Sequence, residues 1–292
     1  ISTHLFIAIK DLYVKLLKRN IPWHQTEPVI YTRLKAVQHL YRVAAGMESM
    51  VLGEIQILAQ VKVAQQSLMK NQPNADVLSK LFDAAAYCAE TIRNDSPLAL
   101  GPTSISELIV GTVQHNYNDL EQLQVLLIGA GETADLAAHY FKTSGVNNII
   151  IANRSEKRGK ILAESISANY INIRNINNVL CECDVIISAT HALGYLIRRD
   201  QIKSIMSKRK EKLLMIDIST PRNMDPSISD IDKVYFYDLD HLDTIATNNM
   251  IKNKSALKKA EIFIQNYSQG SADWLKLRNM QETRLELLEE KG

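Results

Sequence analysis

A glycine-containing turn between a short apolar run and a helical segment constrains the fold of this 292-residue chain more than any other feature. In VLLIGAGETA, Gly129 and Gly131 directly follow the apolar run, and Ala134 takes the third position of a G-x-G-x-x-A pattern. The first glycine permits a tight turn, the second lets the backbone approach a pyrophosphate at the helix N-terminus, and the third position packs helix against strand. The pattern predicts a dinucleotide-binding β-α-β unit.

Further short apolar runs extend this unit into a sheet. NNIIIANRS follows the first helical segment, and DVIISAT, KLLMIDIS and VYFYDL come later in the chain. Their alternation with helical segments, opened by ISELIVGTVQH, predicts a Rossmann-type α/β domain with a parallel sheet over residues 105–245. Residues 1–104 predict a helical unit with the amphipathic segments FIAIKDLYVKLLKRN, AVQHLYRVAAG and DVLSKLFDAAAYCAETIRND, ended by SPLALGPTS.

The end of the second predicted strand indicates which dinucleotide binds. Where NAD-binding domains place an Asp or Glu for the ribose hydroxyl, this chain has Asn153, followed by Arg154 and Ser155. A carboxylate would repel a 2′-phosphate, whereas a guanidinium and a hydroxyl bind it, so we expect NADPH; the alternative is a solvated basic turn. The expected cofactor-binding residues are Gly129, Ala130, Gly131, Glu132, Thr133, Ala134, Asn153, Arg154, Ser155 and Lys157.

A second line of small and polar residues accompanies the apolar face of HLYRVAAGMESMVLGEIQILAQ. Its members recur at steps of three and four, and they are His39, Arg42, Gly46, Ser49, Gly53, Gln56 and Gln60. Each glycine costs a helix roughly 1 kcal/mol, so either a ligand needs the room or the helix breaks there. A solvated face explains any single member, whereas the set together, with Glu54 beside it, favours a polar ligand.

Residues 246–292 contain no strand pattern and predict a long helix. Its intermittent apolar positions are Ile251, Leu257, Phe263, Ile264, Tyr267, Trp274, Leu277, Leu285 and Leu288. Such a line must be buried, most simply on a second copy of the chain, so we expect a dimer helix and a homodimer.

Composition narrows the class of protein. The chain is 46% hydrophobic and 23% charged, as soluble globular proteins are, and no run reaches the roughly 18 to 20 apolar residues of a membrane span. Three cysteines fit a reducing compartment, and a net charge of +2 gives no argument for nucleic-acid binding. The basic stretches RRDQIKSIMSKRKEK and KNKSALKK either neutralise phosphates or form solvated faces.

Four stretches carry a resemblance to a known family: HLYRVAAGMESMVLGEIQILAQVK, LLIGAGETADLA, IIIANRSEKR and IDISTPRNMDP. From about Lys35 to its end the chain resembles the glutamyl-tRNA reductases. The resemblance implies a partial catalytic, glutamyl-binding domain at residues 1–104, an NADPH-binding domain at residues 105–245 and an incomplete helical dimerisation segment at residues 246–292. In that family a cysteine thiolate attacks glutamyl-tRNA, and NADPH reduces the thioester to glutamate-1-semialdehyde, the first step of tetrapyrrole (porphyrin) biosynthesis from glutamate. The resemblance also implies a cytoplasmic or plastid-stromal location and a glutamate-1-semialdehyde aminotransferase as a partner.

The resemblance assigns roles within the polar line. His39 matches a histidine important for activity, and the positions that hold the glutamyl group match Ser49, Glu54, Gln56 and Gln60. By charge, Arg42 either meets the side-chain carboxylate of the substrate or ties helices together.

The nucleophile of the family lies in an S-T-C-N-R-T-E-type motif that this chain lacks. Cys88 fits core packing, and Cys181 with Cys183 lacks further ligands at metal spacing, so we expect no metal. Either the motif precedes Ile1, as the missing initiating Met favours, or the chain is a noncatalytic relative that binds NADPH or glutamyl-tRNA.

A shikimate-dehydrogenase-like oxidoreductase is the alternative enzyme. That family has a similar nucleotide domain, with a GAGETA-like turn and an NRS-like strand end. Its N-x-T-x-P-x-K element has no counterpart in residues 1–104, and the polar line from His39 would then be unexplained.

Overall fold

The computed structural model describes residues 29–72, 75–95, 102–252 and 254–289, together with Asp11 and Lys15. Within these ranges, the side chains of residues 249–252 and 282–289 are not described. The predicted helix in FIAIKDLYVKLLKRN and most of SPLALGPTS therefore lie outside the described residues. The same holds for the side chains of Ile251, Leu285 and Leu288.

Three helices form the N-terminal unit: α1 (Leu34–Ala44), α2 (Ile55–Asn71) and α3 (Asp76–Asp95). Their apolar faces meet in one cluster that includes Tyr41, Leu58 and Ile92. Tyr41 is fully buried there, and its hydroxyl bonds to Ser271 Oγ at 2.6 Å. The two amphipathic segments predicted within this range are thus confirmed as helices.

A six-stranded parallel sheet forms the second unit, with the strand order β3-β2-β1-β4-β5-β6. Its elements are α4 (Ile105–Asn116), β1 (Gln124–Ile128), α5 (Glu132–Thr143), β2 (Asn148–Asn153), α6 (Glu156–Ser165), β3 (Asn169–Asn172), β4 (Val185–Ser188), α7 (Arg199–Met206), β5 (Leu213–Asp217) and β6 (Val234–Asp238). Short 3-10 turns at Ile173–Asn178 and Pro226–Asp230 complete the unit. The predicted Rossmann-type α/β domain is confirmed.

Both faces of the sheet are buried, which explains why the central strands are continuous apolar runs. Alternate residues point to opposite sides, so Leu127 and Ile187 join one cluster while Leu126 and Ile186 join the other. All four side chains are fully buried. Burial on both faces is the property that made these strands recognisable in the sequence.

Strand β3 was absent from the sequence-based prediction because NYIN is short and polar. It lies at the sheet edge, where one side of the ladder is free. The Tyr170 hydroxyl donates to the Asn153 carbonyl at 3.2 Å, and a Cβ on Gly159 would lie 2.4 Å from the Tyr170 ring. Helix α6 thus packs closely on the Tyr170 ring, whereas the sequence of the strand shows no apolar pattern.

The segment from His39 to Gln60 is not one helix. Helix α1 ends at Ala44 and α2 begins at Ile55, and between them Gly46 and Gly53 have φ angles of 71° and 76°. A Cβ on Gly46 would lie 2.7 Å from the Glu54 nitrogen, so this turn requires glycine. The polar line therefore does not follow a single helix face, and the alternative that the helix breaks at its glycines is correct.

The C-terminal part consists of α8 (Leu239–Lys252) and α9 (Lys254–Glu289). Leu242 of α8 joins the sheet cluster, whereas Ala260 and Ile264 of α9 are buried against the N-terminal helices. The long helix was predicted correctly, but part of its apolar line is buried within the chain, which removes part of the reason for a dimer helix. Although α9 has 36 residues, neither it nor any other described helix is apolar enough over a sufficient length to cross a membrane.

Candidate functional site

The strand order of the sheet reverses between β1 and β4, and we refer to the region at the carboxyl ends of these two strands as the crevice. Dinucleotides bind at this switch point in sheets of this type. Gly129 follows β1 with a φ of 124°, and a Cβ there would lie 2.3 Å from the Ala189 carbonyl oxygen that follows β4. The first glycine of the motif is therefore required both by conformation and by contact.

Gly131 is the N-cap of α5, and a Cβ on it would meet no atom within 4 Å. No side chain caps this end of the helix, so its first backbone N–H groups are available to an anion. Ala134 is fully buried, and Ser106 Oγ donates to the Thr133 carbonyl at 2.9 Å, which fixes the start of α5 on α4. Of the other expected residues, Ala130 is partly buried and Glu132 is exposed. The geometry fits a pyrophosphate at the open side of Gly131.

The turn after β2 presents donors and no carboxylate at the strand end. Asn153 Nδ2 donates to the Ser155 carbonyl at 2.9 Å, and Ser155 caps α6 by accepting the Arg158 N–H at 3.5 Å. Arg154 and Lys157 are exposed beside them. This turn can hold a phosphate on the adenosine ribose through one or both cations.

A buried carboxylate, for which the sequence predicted no role, organises the loop after β5. Asp217 is 1% exposed, and it accepts the backbone N–H of Ser219 at 3.0 Å and those of Asn223 and Met224 at 2.8 Å each. The only signal in the sequence was IDISTPRNMDP, which carried the family resemblance. The partners of Asp217 are close to it in sequence but lie in an irregular loop. Such hydrogen bonds leave no periodic pattern in the sequence that would predict them.

His39, in the middle of α1, lies close to an aromatic ring and to a carboxylate. Its ring centroid is 4.6 Å from that of Tyr31, and its Nδ1 is 3.8 Å from Glu48 Oε1. The imidazole is partly exposed, so a substrate can reach it.

Arg42 is engaged by two carboxylates. Its Nε donates to Glu48 at 2.5 Å, and its Nη1 donates to Glu261 of α9. A third carboxylate from a substrate would compete with both. The geometry thus matches the alternative in which Arg42 ties helices together.

Ser49 and Glu54 are joined across the turn between α1 and α2, where the Ser49 hydroxyl donates to the Glu54 carboxylate. Glu54 is the N-cap of α2, with Gln56 partly buried in its first turn and Gln60 exposed one turn later. Among the described residues, no hydrogen bond ties either glutamine to Ser49. The fold thus brings His39 near Arg42 and Ser49 near Glu54, while the glutamines stand apart on α2.

The turn that carries Ser49 packs against the nucleotide unit. Val51 is 3% exposed and belongs to the same cluster as Leu108 and Ala134, and Met50 packs on that cluster. The polar groups of this turn and the start of α5 are therefore parts of one packed surface.

The three cysteines are poorly suited to nucleophilic attack at the crevice. Burial raises the pKa of Cys88 to about 12. Burial, with the nearby Asp184 and Glu182 charges, raises the pKa of Cys183 to about 12, and its thiol donates to the Val179 carbonyl. Cys181 is exposed but precedes β4, so it lies toward the amino ends of the strands, whereas Gly129 follows the carboxyl end of β1. Within the described residues, no group of three or more His, Cys, Asp or Glu side chains is placed to hold a metal ion.

The basic stretch from Arg198 to Lys212 is partly used by the fold itself. Arg199 donates to the Ser227 carbonyl and to Asp230, Arg209 to Asp184, and Lys212 to the Asn116 carbonyl. These three cations are thus engaged within the chain, which reduces the charge left for a phosphate backbone.

Family models match two parts of the chain. Residues 8–96 match the model described as "Glutamyl-tRNAGlu reductase, N-terminal domain", and residues 112–245 match "Shikimate / quinate 5-dehydrogenase". The second model covers the nucleotide unit, and the first covers the helical unit, for which a shikimate dehydrogenase offers no counterpart.

Curated relatives match most of the chain. A glutamyl-tRNA reductase of Nitratidesulfovibrio vulgaris strain Miyazaki F is 35% identical over 90% of this chain, and one of Thermodesulfovibrio yellowstonii is 32% identical over 84%. The chain spans 60% and 58% of these relatives, respectively. The solved structure of glutamyl-tRNA reductase from Methanopyrus kandleri is 28% identical with a TM-score of 0.50, covering 89% of this chain and 65% of that one.

Proposed function

From its similarity to glutamyl-tRNA reductases along about 90% of its length, we propose that the chain is a member of that family and acts in the NADPH-dependent reduction of glutamyl-tRNA to glutamate-1-semialdehyde. The product would feed tetrapyrrole biosynthesis. One observation carries the proposal: the turn with Ser49 and Glu54 packs through Val51 onto the cluster that supports the dinucleotide turn. The turn proposed to hold the glutamyl group is therefore packed against the unit proposed to hold the cofactor.

The proposed substrate site is formed by His39, Ser49 and Glu54, with Gln56 and Gln60 on the adjacent helix. A hydroxyl, carboxylate and amides offer both donors and acceptors to the ammonium and carboxylate of a glutamyl group. We leave Arg42 outside this set because its Nε and Nη1 already donate to Glu48 and Glu261. His39 would hold or move a proton close to the reacting carbonyl, since its ring is reachable from solvent.

NADPH, when bound, supplies the hydride that reduces the thioester. Gly129 and Gly131 leave room for its pyrophosphate at the N-terminus of α5, with Ala130, Glu132, Thr133 and Ala134 completing the turn. Asn153, Arg154, Ser155 and Lys157 would take the 2′-phosphate, since the turn after β2 carries cations and no carboxylate at the strand end.

A single-turnover assay with glutamyl-tRNA and NADPH tests this function directly. It should compare this chain with the full open reading frame that encodes it, measuring semialdehyde and trapped glutamyl thioester. We expect product from the full reading frame and none from this chain, because the two buried thiols have pKa values of about 12 and Cys181 lies toward the amino ends of the strands, away from the cofactor turn.

Product from this chain alone would support the reduction but contradict the expected source of the nucleophile, since one of the chain's own cysteines would supply it. Another outcome would contradict the function itself. If neither protein yields product or thioester while both bind NADPH, the chain is a noncatalytic binding relative. A shikimate-dehydrogenase-like activity would appear as NADP reduction with shikimate.

Cofactor preference is tested by Asn153→Asp combined with Arg154→Ala. The new carboxylate and the lost cation should shift the preference from NADPH toward NADH, measured as the ratio of the two dissociation constants. An unchanged ratio would contradict the role proposed for this turn. Asn153→Ala is the matched control, since it removes the Asn153–Ser155 bond without adding charge.

We also propose a homodimer and contact with a glutamate-1-semialdehyde aminotransferase. Leu277 and Met280 of α9 are each 62% exposed, and this end of the helix is the part whose apolar side chains the N-terminal unit leaves free. Sedimentation of Leu277→Glu against the unchanged chain tests the dimer, which should dissociate when the apolar contact gains a charge.

A further inference from the structure

Hydrogen bonds join the loop that follows β4, residues 189–195, to the loop that follows β5. Ser219 Oγ accepts the Thr190 N–H at 3.2 Å, and it also bonds to Ser188 Oγ at 2.9 Å. Asn223 Nδ2 donates to two carbonyls of the 189–195 loop, that of Ala192 at 2.8 Å and that of Gly194 at 3.1 Å. Three of the loop's backbone groups are therefore fixed by two side chains.

The backbone of Asn223 is itself fixed by hydrogen bonds, and it also binds the residues that directly follow the 189–195 loop. Its N–H donates to the buried Asp217 carboxylate, and its carbonyl accepts the N–H groups of Leu196 at 2.6 Å and Ile197 at 3.1 Å. Asn223 is fully buried. We call Asp217, Ser219 and Asn223 the loop brace.

The orientation of the Asn223 amide is fixed by its donors. Its Oδ1 is a buried atom with no hydrogen-bond partner among the described residues, while both Nδ2 bonds go to carbonyl oxygens. A reversed amide would place its oxygen against these two carbonyls and lose both bonds. Because Oδ1 has no partner while Nδ2 has two, the position of Asn223 favours the hydrogen bonds to the loop over a hydrogen bond to its own Oδ1.

Apolar packing does not hold the 189–195 loop in place. His191, Leu193 and Tyr195 are all exposed, Leu193 to 78%, and Gly194 has a φ of 84°. A loop with exposed side chains and a left-handed glycine keeps one shape through its hydrogen bonds. The Ala189 N–H donates to the Ile128 carbonyl and the Ala192 N–H to Thr190 Oγ1, and the loop brace provides the three bonds described above.

The loop forms the β4 side of the dinucleotide crevice, because the Ala189 carbonyl is the atom that a Cβ on Gly129 would strike. Sheets of this order bind a dinucleotide as two halves, one on each side of the strand-order reversal. The turn after β2 offers cations to the adenosine half. The β4–β6 side, with the 189–195 loop, is left for the nicotinamide half.

We propose that Asn223 is a positioning residue that, through the loop brace, shapes the 189–195 loop for the nicotinamide half of the cofactor. This inference rests on the proposed NADPH-dependent function. It predicts that damage to the brace weakens binding of the complete dinucleotide and leaves binding of its adenosine half unchanged.

The experiment is calorimetric titration of the 292-residue chain with NADPH and, separately, with 2′,5′-ADP. Asn223→Asp keeps the side-chain volume but removes both donors, and Asn223→Ala removes the amide altogether. We expect roughly tenfold weaker NADPH binding in both variants, because a lost pair of hydrogen bonds frees the loop, with 2′,5′-ADP affinity changed by less than about twofold. Asn116→Asp is the matched control, since Asn116 Nδ2 also donates to one carbonyl, that of Thr112, on a helix away from the crevice.

Equal losses for both ligands, or unchanged NADPH affinity in both Asn223 variants, would overturn the inference while leaving the proposed function intact. Absence of NADPH binding by the unchanged chain would instead overturn the proposed function and this inference with it. If Asn223 variants do not fold, Ser219→Ala serves as the second variant, since it removes the acceptor of the Thr190 N–H and leaves Asn223 in place. It should show the same selective loss, and a loss for both ligands would again contradict the inference.

Discussion

The two proposed sites of this chain are built in different ways. The dinucleotide crevice is made of backbone: Gly129 and Gly131 lie between β1 and α5, and the atoms that a Cβ on Gly129 would meet belong to the main chain of Ala189 and Thr190. The glutamyl site is made of side chains from α1, the following turn and α2. One of the anchors of this region, Glu261, lies 219 positions after Arg42, the residue it holds.

The difference explains which inferences from sequence succeed. A backbone site depends on a few adjacent residues, so its motif predicts its geometry. A side-chain site depends on how distant elements pack, so helical spacing alone placed His39 and Gln60 on one face, whereas the turn at Gly46 separates them. Local rules predict local geometry, and tertiary contacts decide the rest.

The largest expected effect is that of Gly129→Ala. Its Cβ would lie 2.3 Å from the Ala189 carbonyl at a φ of 124°, so the free energy of unfolding should fall by about 3 kcal/mol or more, with loss of NADPH binding. Thermal unfolding and NADPH titration measure the two effects. Gly131→Ala is the matched control, because its Cβ meets nothing and its φ is −94°.

For Gly131→Ala we expect an almost unchanged unfolding temperature but weaker NADPH binding, since the added methyl group would occupy the side open to the pyrophosphate. NADPH affinity equal to that of the unchanged chain would exclude Gly131 from the cofactor site and break the contrast between the two units.

The second prediction concerns the corresponding glycine of the helical unit. Gly46→Ala places a Cβ 2.7 Å from the Glu54 nitrogen at a φ of 71°, and it should lower the free energy of unfolding by about 2 kcal/mol. NADPH affinity should persist, because the crevice is built elsewhere. Gly270→Ala in α9 is the control, since its Cβ meets nothing and should stabilise the helix by about 0.5 to 1 kcal/mol. Parallel loss of NADPH binding in Gly46→Ala would mean that the two sites depend on each other.

The sequence predicted the Rossmann unit almost completely, because four of its strands are apolar runs buried on both faces and β6 is an apolar run buried on one face. It missed β3, whose NYIN carries no such signal, and it gave no role to Asp217, whose partners lie in an irregular loop. In the helical unit the sequence predicted α3 but not the partner of α9. A helix shows an apolar line in its sequence, yet the line does not say whether the surface that covers it belongs to the same chain.

The third prediction uses the carboxylate at the end of β6. Burial by itself would raise the pKa of Asp238, but hydrogen bonds from His241 and the charges of His241 and Arg222 outweigh this and hold the pKa below its usual value. A lowered pKa contributes stability above the unfolded value near 3.9, and this stability is lost as the pH falls through the still lower folded value. Asp238→Asn should lower the free energy of unfolding by about 1 kcal/mol at pH 7, with the difference shrinking below about pH 4.

Denaturant unfolding of Asp238→Asn and the unchanged chain between neutral pH and pH 3 measures this convergence. A difference that stays constant through the acid range would show that the amide disturbs packing rather than charge. Asp240→Asn is the control, because Asp240 is exposed and shares only the Arg222 contact.

The smallest effect concerns Arg42, and it separates the two roles that its charge allows. Arg42 and Glu261 are each about one-third exposed, so a double-mutant cycle with Arg42→Gln and Glu261→Gln should give a coupling energy of about 0.5 kcal/mol. If Arg42 ties α1 to α9, both single variants should have the same modest effect on the use of glutamyl-tRNA, since each breaks the same contact. If Arg42 instead binds the substrate carboxylate, Arg42→Gln should raise KM while Glu261→Gln lowers it, because removing Glu261 would free the guanidinium for the substrate. Opposite signs in the two variants would return Arg42 to the substrate site and make Glu261 its competitor.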